Sequence, residues 1–211
     1  MIRKGFFVTL EGPEGSGKSS QGRWLVQRLR RRGCPVVFLR DPGSTSLGRV
    51  LRGVLLHSAG RLTPLMEALL FIGGRVQLVE EEIQPALRRG AVVVCDRFHD
   101  STVAYQGFGG EVNVELLQRL GRRAIGGCMP QLTLLLDIPT AAGFARLRRD
   151  YDCMERKGHL FHRRVRAGFL RLAKREPGRF VVVDASQPSA DVQQQIETIM
   201  MRRLRRVMSD Q

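Results

Sequence analysis

The sequence lacks long apolar runs. No stretch of eighteen or more consecutive apolar residues occurs among the 211 residues, so no membrane-spanning helix is predicted. Residues 1–4 lead directly into an apolar segment, without the hydrophobic core and cleavage site of a signal peptide. We therefore expect a soluble, cytoplasmic protein. A hydrophobic content of 43% is sufficient for the core of one domain spanning residues 1–211.

Cysteine and histidine are also sparse. The four cysteines are scattered and form no C-x-x-C pair, so neither a zinc site nor a disulfide framework is predicted: Cys34, Cys95, Cys128 and Cys153. The four histidines have no metal-ligand spacing, and we expect none of them to be catalytic: His57, His99, His159 and His162.

A phosphate-binding pattern follows the first apolar run. Residues 12–19 read Gly-Pro-Glu-Gly-Ser-Gly-Lys-Ser and match G-x-x-x-x-G-K-[ST]. Glycines at both ends allow backbone N–H groups to surround a polyphosphate, and the following helix directs its positive end there. Lys18 is predicted to reach the β- and γ-phosphates, and Ser19 to contact Mg²⁺. The predicted ATP-phosphate residues are Gly12, Glu14, Gly15, Ser16, Gly17, Lys18, Ser19 and Ser20.

Apolar runs and helical segments alternate along the chain, which predicts an α/β fold with a five-stranded parallel sheet flanked by helices. The predicted strands are 6–10, 36–39, 91–95, 132–136 and 180–183. The predicted helices are 18–32, 46–57, 63–89, 114–125, 140–148, 162–174 and 190–206. Ligands of such sheets bind beyond the carboxyl ends of the strands.

The ends of the first three predicted strands carry the phosphate loop (residues 12–19), Arg40-Asp41 and Asp96-Arg97. These segments are expected to converge at one edge of the sheet. Asp96 is positioned to orient Mg²⁺, and the guanidinium of Arg97 suits a phosphate. Asp137 ends the fourth strand in the same way, although a strand-end aspartate alone is often only a helix cap.

Positive charge is concentrated in one segment. The net charge is +15, and residues 144–179 hold ten arginines and two lysines against four acidic residues. Nucleic acid, acidic lipid and a polyanionic substrate are all compatible with such a charge. Because the basic segment accompanies a phosphate loop, it is more plausibly a cover for nucleotides than a surface for a duplex. We therefore expect neither nucleic acid nor membrane as a partner.

Several motifs in order identify a family resemblance. They are residues 96–107 (Asp-Arg-Phe-His-Asp-Ser-Thr-Val-Ala-Tyr-Gln-Gly), Arg40-Asp41-Pro42-Gly43, Phe71-x-x-x-Arg75-Val76-Gln77, residues 161–170 and residues 182–185. From Phe6 to about Pro188 the chain resembles bacterial thymidylate kinases. The resemblance implies a P-loop nucleotide kinase fold with a small lid. It also implies transfer of phosphate from ATP to dTMP, dependence on Mg²⁺, and a homodimer.

The resemblance implies roles for residues that bind dTMP. Phe71 would stack on thymine and Arg75, four residues later on the same helix face, would bind a base carbonyl. Arg97 would hold the dTMP phosphate with Arg40, assisted by Arg52. Tyr105 would press against the sugar where a ribose 2′-hydroxyl projects. The base edge would be lined by Ser101, Thr102 and Gln106.

The resemblance also implies a metal site and a lid. Asp41 stands where the family usually has glutamate. It is predicted to join Ser19 and Asp96 at Mg²⁺, although its shorter side chain leaves open whether it contacts Mg²⁺ or neighbouring arginines. In a similar bacterial subgroup the lid supplies the catalytic arginine, and the lid here would span about 148–160. Cys153 follows Asp152 where the family commonly has arginine. The predicted catalytic residues are therefore Lys18, Arg97 and the lid arginines Arg148, Arg149 and Arg156, with Arg148 favoured.

Three alternatives stay open from the sequence. A sister kinase could prefer another pyrimidine nucleotide such as dUMP, since a methyl group contributes only about 1–3 kcal/mol of discrimination. A P-loop ATPase could bind nucleic acid through its basic segments, although no second nucleic-acid module is recognisable. A degenerate paralogue could bind nucleotides without turnover, as Cys153 suggests.

Overall fold

A parallel sheet organises the part of the chain that the structure, a computed structural model, describes: residues 5–57, 62–148 and 150–209. The strands within these residues are β1 (Phe6–Glu11), β2 (Val36–Arg40), β3 (Val92–Asp96), β4 (Leu132–Asp137) and β5 (Phe180–Asp184). Their order is β2-β3-β1-β4-β5, and every neighbouring pair is parallel. Because β1 is central, the loop that follows it lies at the middle of the sheet edge.

Helices connect and cover the strands. They are α1 (Lys18–Arg31), α2 (Ser46–His57), α3 (Pro64–Leu78), α4 (Gln84–Arg88), α5 (His99–Thr102), α6 (Val114–Ala124), α7 (Thr140–Ala145), α8 (His159–Arg175) and α9 (Ser189–Ser209). A π-helical turn at Val79–Ile83 joins α3 to α4, and a second at Val103–Gly109 continues α5. Local sequence sets several ends. Thr63 caps α3, since its hydroxyl accepts from Met66 N at 3.3 Å, and Pro64 follows at the first helical position.

Two apolar layers hold the helices against the sheet. On one face, side chains of β1, β3 and β4 pack with Leu25 and Leu29 of α1 and with Ile196 and Met200 of α9. The other face is covered by the α3–α4 segment, the Val103–Gly109 turn and α8. Alternate residues of a strand face opposite layers, so strands buried on both faces are almost wholly apolar. The carboxyl ends of the strands stay free of this core and form the site described below.

The predicted architecture is confirmed, and all five strands lie where the apolar runs place them. Some helix predictions need correction. The predicted helix 63–89 is two α-helices joined by a π turn, and the predicted helix 140–148 ends at Ala145. The helical segment His99–Gly109 was absent from the prediction. Within the described ranges, no helix is both long enough and apolar enough to cross a membrane.

Candidate active site

A cleft of about 1050 Å³ opens at the carboxyl ends of the strands. The phosphate loop lies at its centre, after β1. The segments after β2 and β3, together with α3, line the side towards β2, and the segments after β4 and β5 line the other side. Predicted residues that line the cleft are Glu14, Gly15, Ser16, Gly17, Lys18, Ser19, Ser20, Arg40, Asp41, Arg52, Phe71, Arg75, Asp96, Arg97, Ser101, Thr102, Tyr105 and Gln106.

The phosphate loop depends on glycine for its shape. Gly12, Gly15 and Gly17 have φ angles of +143°, +69° and +87°, a region that favours glycine. A Cβ on Gly15 would lie 1.9 Å from the carbonyl oxygen of Gly143, so a side chain there would displace α7. This conformation brings the loop directly into the N-terminus of α1, where backbone N–H groups are available to an anion.

Lys18, the first residue of α1, is buried under the loop. Its Nζ donates to the Pro13 carbonyl at 2.7 Å and to Ser16 Oγ at 3.2 Å. Burial, together with the nearby charge of Arg97, lowers the pKa of the Lys18 ammonium to about 8. The ammonium is therefore fixed beside the loop, and it loses its proton more easily than an exposed lysine does.

Ser19, Arg40 and Asp96 meet at the loop, as the convergence of three strand ends predicts. Ser19 Oγ donates a short hydrogen bond to Asp96 Oδ2. Arg40 Nη2 donates to Ser19 Oγ at 2.9 Å and to Asp96 Oδ2 at 3.3 Å. A hydroxyl and a carboxylate beside a phosphate loop are the oxygen donors that Mg²⁺ takes alongside nucleotide phosphates. Among the described residues, no group of three or more His, Cys, Asp or Glu side chains is placed so that it could hold a metal ion.

Arg97 stands between the loop and the helix that follows β3. Its φ is +69°, a left-handed conformation that is costly for a residue with a side chain. Nη1 donates to the Gly12 carbonyl at 3.2 Å and to Ser101 Oγ at 3.1 Å, and Nη2 donates to both oxygens of Glu14 at 3.0 and 3.1 Å. The guanidinium is thus held at the edge of the cleft by fixed acceptors.

Glu14 is the counter-ion of Arg97. Burial raises the pKa of its carboxyl, but the charges of Arg97 and Lys18 outweigh burial and lower the pKa to about 2. Tyr105 also donates to Glu14 Oε1 at 2.5 Å, and its ring lies 5.0 Å from the Arg97 guanidinium carbon. Because Arg97 binds the carboxylate of Glu14, the predicted contact of Glu14 with ATP phosphate would have to come from its backbone N–H.

Arg75 is a buried cation on the side of the cleft towards β2. Its exposed fraction is 1%, Nε donates to Asp41 Oδ2 at 2.5 Å, and Nη2 donates to Thr102 Oγ1 at 3.0 Å. Arg75 Nη1 and Asp41 Oδ1 are buried without hydrogen-bond partners among the described residues. Phe71, one helical turn before Arg75, lines the same cleft. A buried unpartnered donor beside an aromatic ring suits a base with a carbonyl oxygen.

The structure pairs Asp41 with an arginine, one of the two kinds of partner that the sequence left open. Its carboxylate is buried and accepts from Arg75, whereas the predicted metal role would require it to act with Ser19 and Asp96. Burial raises the pKa of Asp41 above its usual value, and the opposing charge of Arg75 only partly offsets the rise. Arg75 binds Oδ2 and leaves Oδ1 without a partner among the described residues, so the metal role of Asp41 stays a prediction.

Two of the predicted lid arginines, Arg148 and Arg156, lie outside the cleft lining. Arg148 and Arg156 are exposed, and neither belongs to the cleft wall, while Arg149 lies outside the described residues. The backbone N–H of Cys153 donates to the Leu56 carbonyl at 3.2 Å, which fastens this segment to α2. The cleft is lined here instead by Leu147, Asp152, Met154 and Glu155. The catalytic roles of the lid arginines therefore stay predictions.

Sequence reasoning did not select Arg146 or Glu11. Arg146 lines the cleft at the end of α7 and donates to the carbonyls of Ala185 and Ser186 at 2.8 and 3.2 Å. Glu11 ends β1, as Asp96 ends β3, so the strand-end rule could have identified it. Asp137, which ends β4, is bound by both Arg166 nitrogens at 2.8 Å and is not a cleft residue.

Glu11 is a buried carboxyl beneath Arg97. Its Oε1 accepts from Phe98 N at 2.8 Å and its Oε2 accepts from Ser101 Oγ at 2.5 Å. Burial, with a contribution from Asp100, raises the pKa of Glu11 to about 8. Ser101 in turn accepts from Arg97, so Glu11 supports the turn that positions the guanidinium.

Stability should fall with rising pH because of Glu11. The pKa of Glu11 in the folded protein lies above its usual value of 4.5, so its contribution to stability is fully present below about pH 4.5 and is lost as pH rises through about 8. Glu11→Gln keeps an acceptor for Phe98 and a polar group for Ser101. We expect the Tm of wild type to fall between pH 5 and pH 8. The fall in Tm of Glu11→Gln over the same range should be smaller by on the order of 5 °C. The exposed Glu115→Gln is the matched control. Equal pH slopes of Tm for wild type and Glu11→Gln would contradict this role.

Comparisons with known proteins point to one family. Residues 10–196 match the family model described as thymidylate kinase. The chain is 46% identical over 197 residues to a thymidylate kinase of Deinococcus radiodurans, which covers 92% of this chain and 96% of that one. It is 43% identical over 206 residues to one of Caulobacter vibrioides, with coverages of 96% and 99%. The crystal structure of thymidylate kinase from Ehrlichia chaffeensis superposes with a TM-score of 0.77 at 31% identity, covering 93% of this chain and 99% of that one.

Proposed function

The chain belongs to the thymidylate kinase family, whose activity is the phosphorylation of dTMP to dTDP by ATP, and from this we propose how its cleft carries out the reaction. The two nucleotides lie on opposite sides of the phosphate loop with their phosphates meeting above Lys18. The observation that carries this assignment is the buried, unpartnered Nη1 of Arg75 in the cleft wall near Phe71.

The acceptor nucleotide lies on the side of the cleft towards β2. Phe71 stacks on the thymine ring, and Arg75 donates its free Nη1 to a base carbonyl. Asp41 holds the guanidinium in place through its Nε contact. Arg97 grips the dTMP phosphate, with Arg40 and Arg52 beside it. The base edge is lined by Ser101, Thr102 and Gln106, and Tyr105 lies against the sugar.

The donor nucleotide occupies the phosphate loop. Backbone N–H groups of residues 12–19 surround the phosphates, and Lys18 reaches the β- and γ-phosphates. The cleft continues past Arg146 to residues 185–189, which leaves room for the nucleoside of ATP on the side towards β5. The structure contains no second polyphosphate loop among its described cleft residues, which supports this direction of transfer.

Ser19 and Asp96 would hold a Mg²⁺ ion. Their hydroxyl and carboxylate oxygens are adjacent at the first turn of α1, and Arg40 is positioned over both. Bound there, the ion would neutralise charge on the β- and γ-phosphates. Few protein ligands are needed, because Mg²⁺ usually keeps several waters and takes phosphate oxygens from the substrate.

Catalysis then requires alignment and positive charge rather than a general base. The acceptor is already a phosphate oxygen, and the transferring group carries its charge on three equatorial oxygens. Lys18 and Arg97 stabilise that charge from two sides, and Glu11 holds the Arg97 turn in position. Arg148, Arg149 and Arg156 are the proposed lid contributors, with Arg148 first.

Exposed apolar side chains support a homodimer. Leu65, Met66 and Leu69 of α3 are 44–45% exposed, and Leu116 and Leu120 of α6 are 44% and 37% exposed. The two helices pack together, and their exposed apolar side chains suit contact with a second copy. We also propose that residues 1–211 form a single domain and that the enzyme works in the cytoplasm.

A monophosphate panel tests the acceptor assignment. We expect kcat/KM for dTMP to exceed that for dUMP by about tenfold and those for dCMP and dGMP by much more, in an assay coupled to ADP release. Activity should disappear on chelation with EDTA and return with Mg²⁺. Equal kcat/KM for dUMP and dTMP would instead support the sister-kinase alternative. Normal ATP binding without dTDP formation would support a degenerate paralogue.

A further inference from the structure

Glu67 is a buried carboxylate that none of the roles above uses. It lies on α3 one helical turn before Phe71 and two turns before Arg75, so all three side chains share one face of the helix. Only 4% of Glu67 is exposed. A buried carboxylate on the face that holds the base needs partners, and its partners reveal its effect on the base site.

Two donors converge on Glu67. Gln106 Nε2 donates to Oε2 at 3.1 Å, and Lys157 Nζ donates to Oε1 and Oε2 at 2.7 and 2.8 Å. Because an ion-paired carboxylate only accepts hydrogen bonds, it requires the amide nitrogen of Gln106 to face it. The amide oxygen of Gln106 must therefore face away from Glu67.

That amide oxygen is available to a ligand. Gln106 Oε1 is buried without a hydrogen-bond partner among the described residues, and Gln106 is part of the cleft wall. Arg75 Nη1 is the unpartnered donor of the same wall. Thr102, one turn before Gln106, accepts a hydrogen bond from Arg75 Nη2. Helix α3 and the Val103–Gly109 turn therefore bring Arg75 and Gln106 to the same end of the cleft.

We infer that Glu67 is a positioning residue that fixes Gln106 as a hydrogen-bond acceptor and thereby selects 4-oxo over 4-amino pyrimidines. Arg75 as donor and Gln106 as acceptor match a base with a carbonyl oxygen beside an imino N–H. Cytosine presents an amino group and an unprotonated ring nitrogen there, so both contacts would be mismatched. This inference rests on the proposed placement of the acceptor base near Phe71.

Glu67→Gln tests the inference because the new amide can donate as well as accept, and Gln106 is then free to turn over. We expect the ratio of kcat/KM for dTMP to that for dCMP to fall at least about tenfold, mainly through a higher KM for dTMP. The exposed Glu80→Gln on the same helical segment is the matched control. Thermal melts of each variant report folding separately from selectivity.

The double variant Glu67→Gln/Gln106→Glu exchanges the two groups. The amide then donates to the carboxylate, which again offers an acceptor to the base, so we expect the dTMP preference to recover to within about threefold of wild type. Should Glu67→Gln alone not fold, this variant decides the question by itself.

Two results would overturn the inference: an unchanged dTMP-to-dCMP ratio in Glu67→Gln, or a double variant whose ratio stays about tenfold or more below that of wild type. A folded wild type that fails to prefer dTMP over dCMP would instead refute the proposed base placement.

Discussion

Replacing Lys18 with methionine is expected to lower kcat by about a thousandfold or more while the protein stays folded. The ammonium is buried beside the phosphate loop and donates to Pro13 and Ser16, so it is already positioned where polyphosphate must lie. Fixed charge that stabilises a transferring phosphoryl group contributes about this factor in comparable sites. Methionine has similar length and keeps the packing, so the loss reports the charge. Steady-state rates with saturating dTMP and ATP measure it.

A pH profile of the wild type gives an independent reading of the same group. Since the Lys18 pKa is lowered to about 8 and the protonated form holds phosphate, kcat/KM for ATP should decline above about pH 8. Lys174→Met, an exposed lysine of α8 outside the cleft, is the matched control and should keep wild-type rates. A folded Lys18→Met enzyme within tenfold of wild-type kcat would disprove the assignment.

The strands could be predicted from sequence because each is buried on both faces and reads as a short apolar run. The helical segment His99–Gly109 could not. It is enclosed by α3, α6 and α8, and its polar residues Ser101, Thr102 and Gln106 line the cleft, so no solvent-exposed polar face gives a helical period. It also contains Gly107 and Gly109, which disfavour helix, yet a Cβ on Gly109 would lie 2.7 Å from Phe161. Close packing against α8 therefore outweighs local propensity.

The candidate active site also contains residues that could be predicted from the sequence and residues that could not. Lys18 and Ser19 could be found because both belong to one loop of consecutive residues, and the partners of Lys18, Pro13 and Ser16, lie in the same loop. The contact of Asp41 with Arg75 spans 34 positions, and that of Glu67 with Gln106 spans 39. Such pairs are set by how α3 packs on the ends of β2 and β3, which no local pattern encodes. The family resemblance left open whether Asp41 contacts Mg²⁺ or neighbouring arginines, and only the packing of α3 identifies Arg75 as its ion-pair partner.

Arg97→Lys is expected to reduce kcat/KM for dTMP by about a hundred- to a thousandfold. Lysine keeps the positive charge but loses the planar fork, which here reaches Gly12, Ser101 and Glu14 from two nitrogens. The substitution adds no new backbone cost, because lysine and arginine share the same penalty at a φ of +69°. The lost activity therefore measures the geometry of the guanidinium rather than its charge.

The division of KM between the two substrates decides what Arg97 grips. Its attachment to Ser101 and the Glu11 turn places it on the side of the loop towards β3, while Lys18 lies under the loop itself. We therefore expect KM for dTMP to rise and KM for ATP to change less than threefold. Arg30→Lys, exposed on α1, controls for the exchange of cations. If KM for ATP rose as much as KM for dTMP, Arg97 would bind the donor, and the acceptor phosphate would have to be held by Arg40 and Arg52.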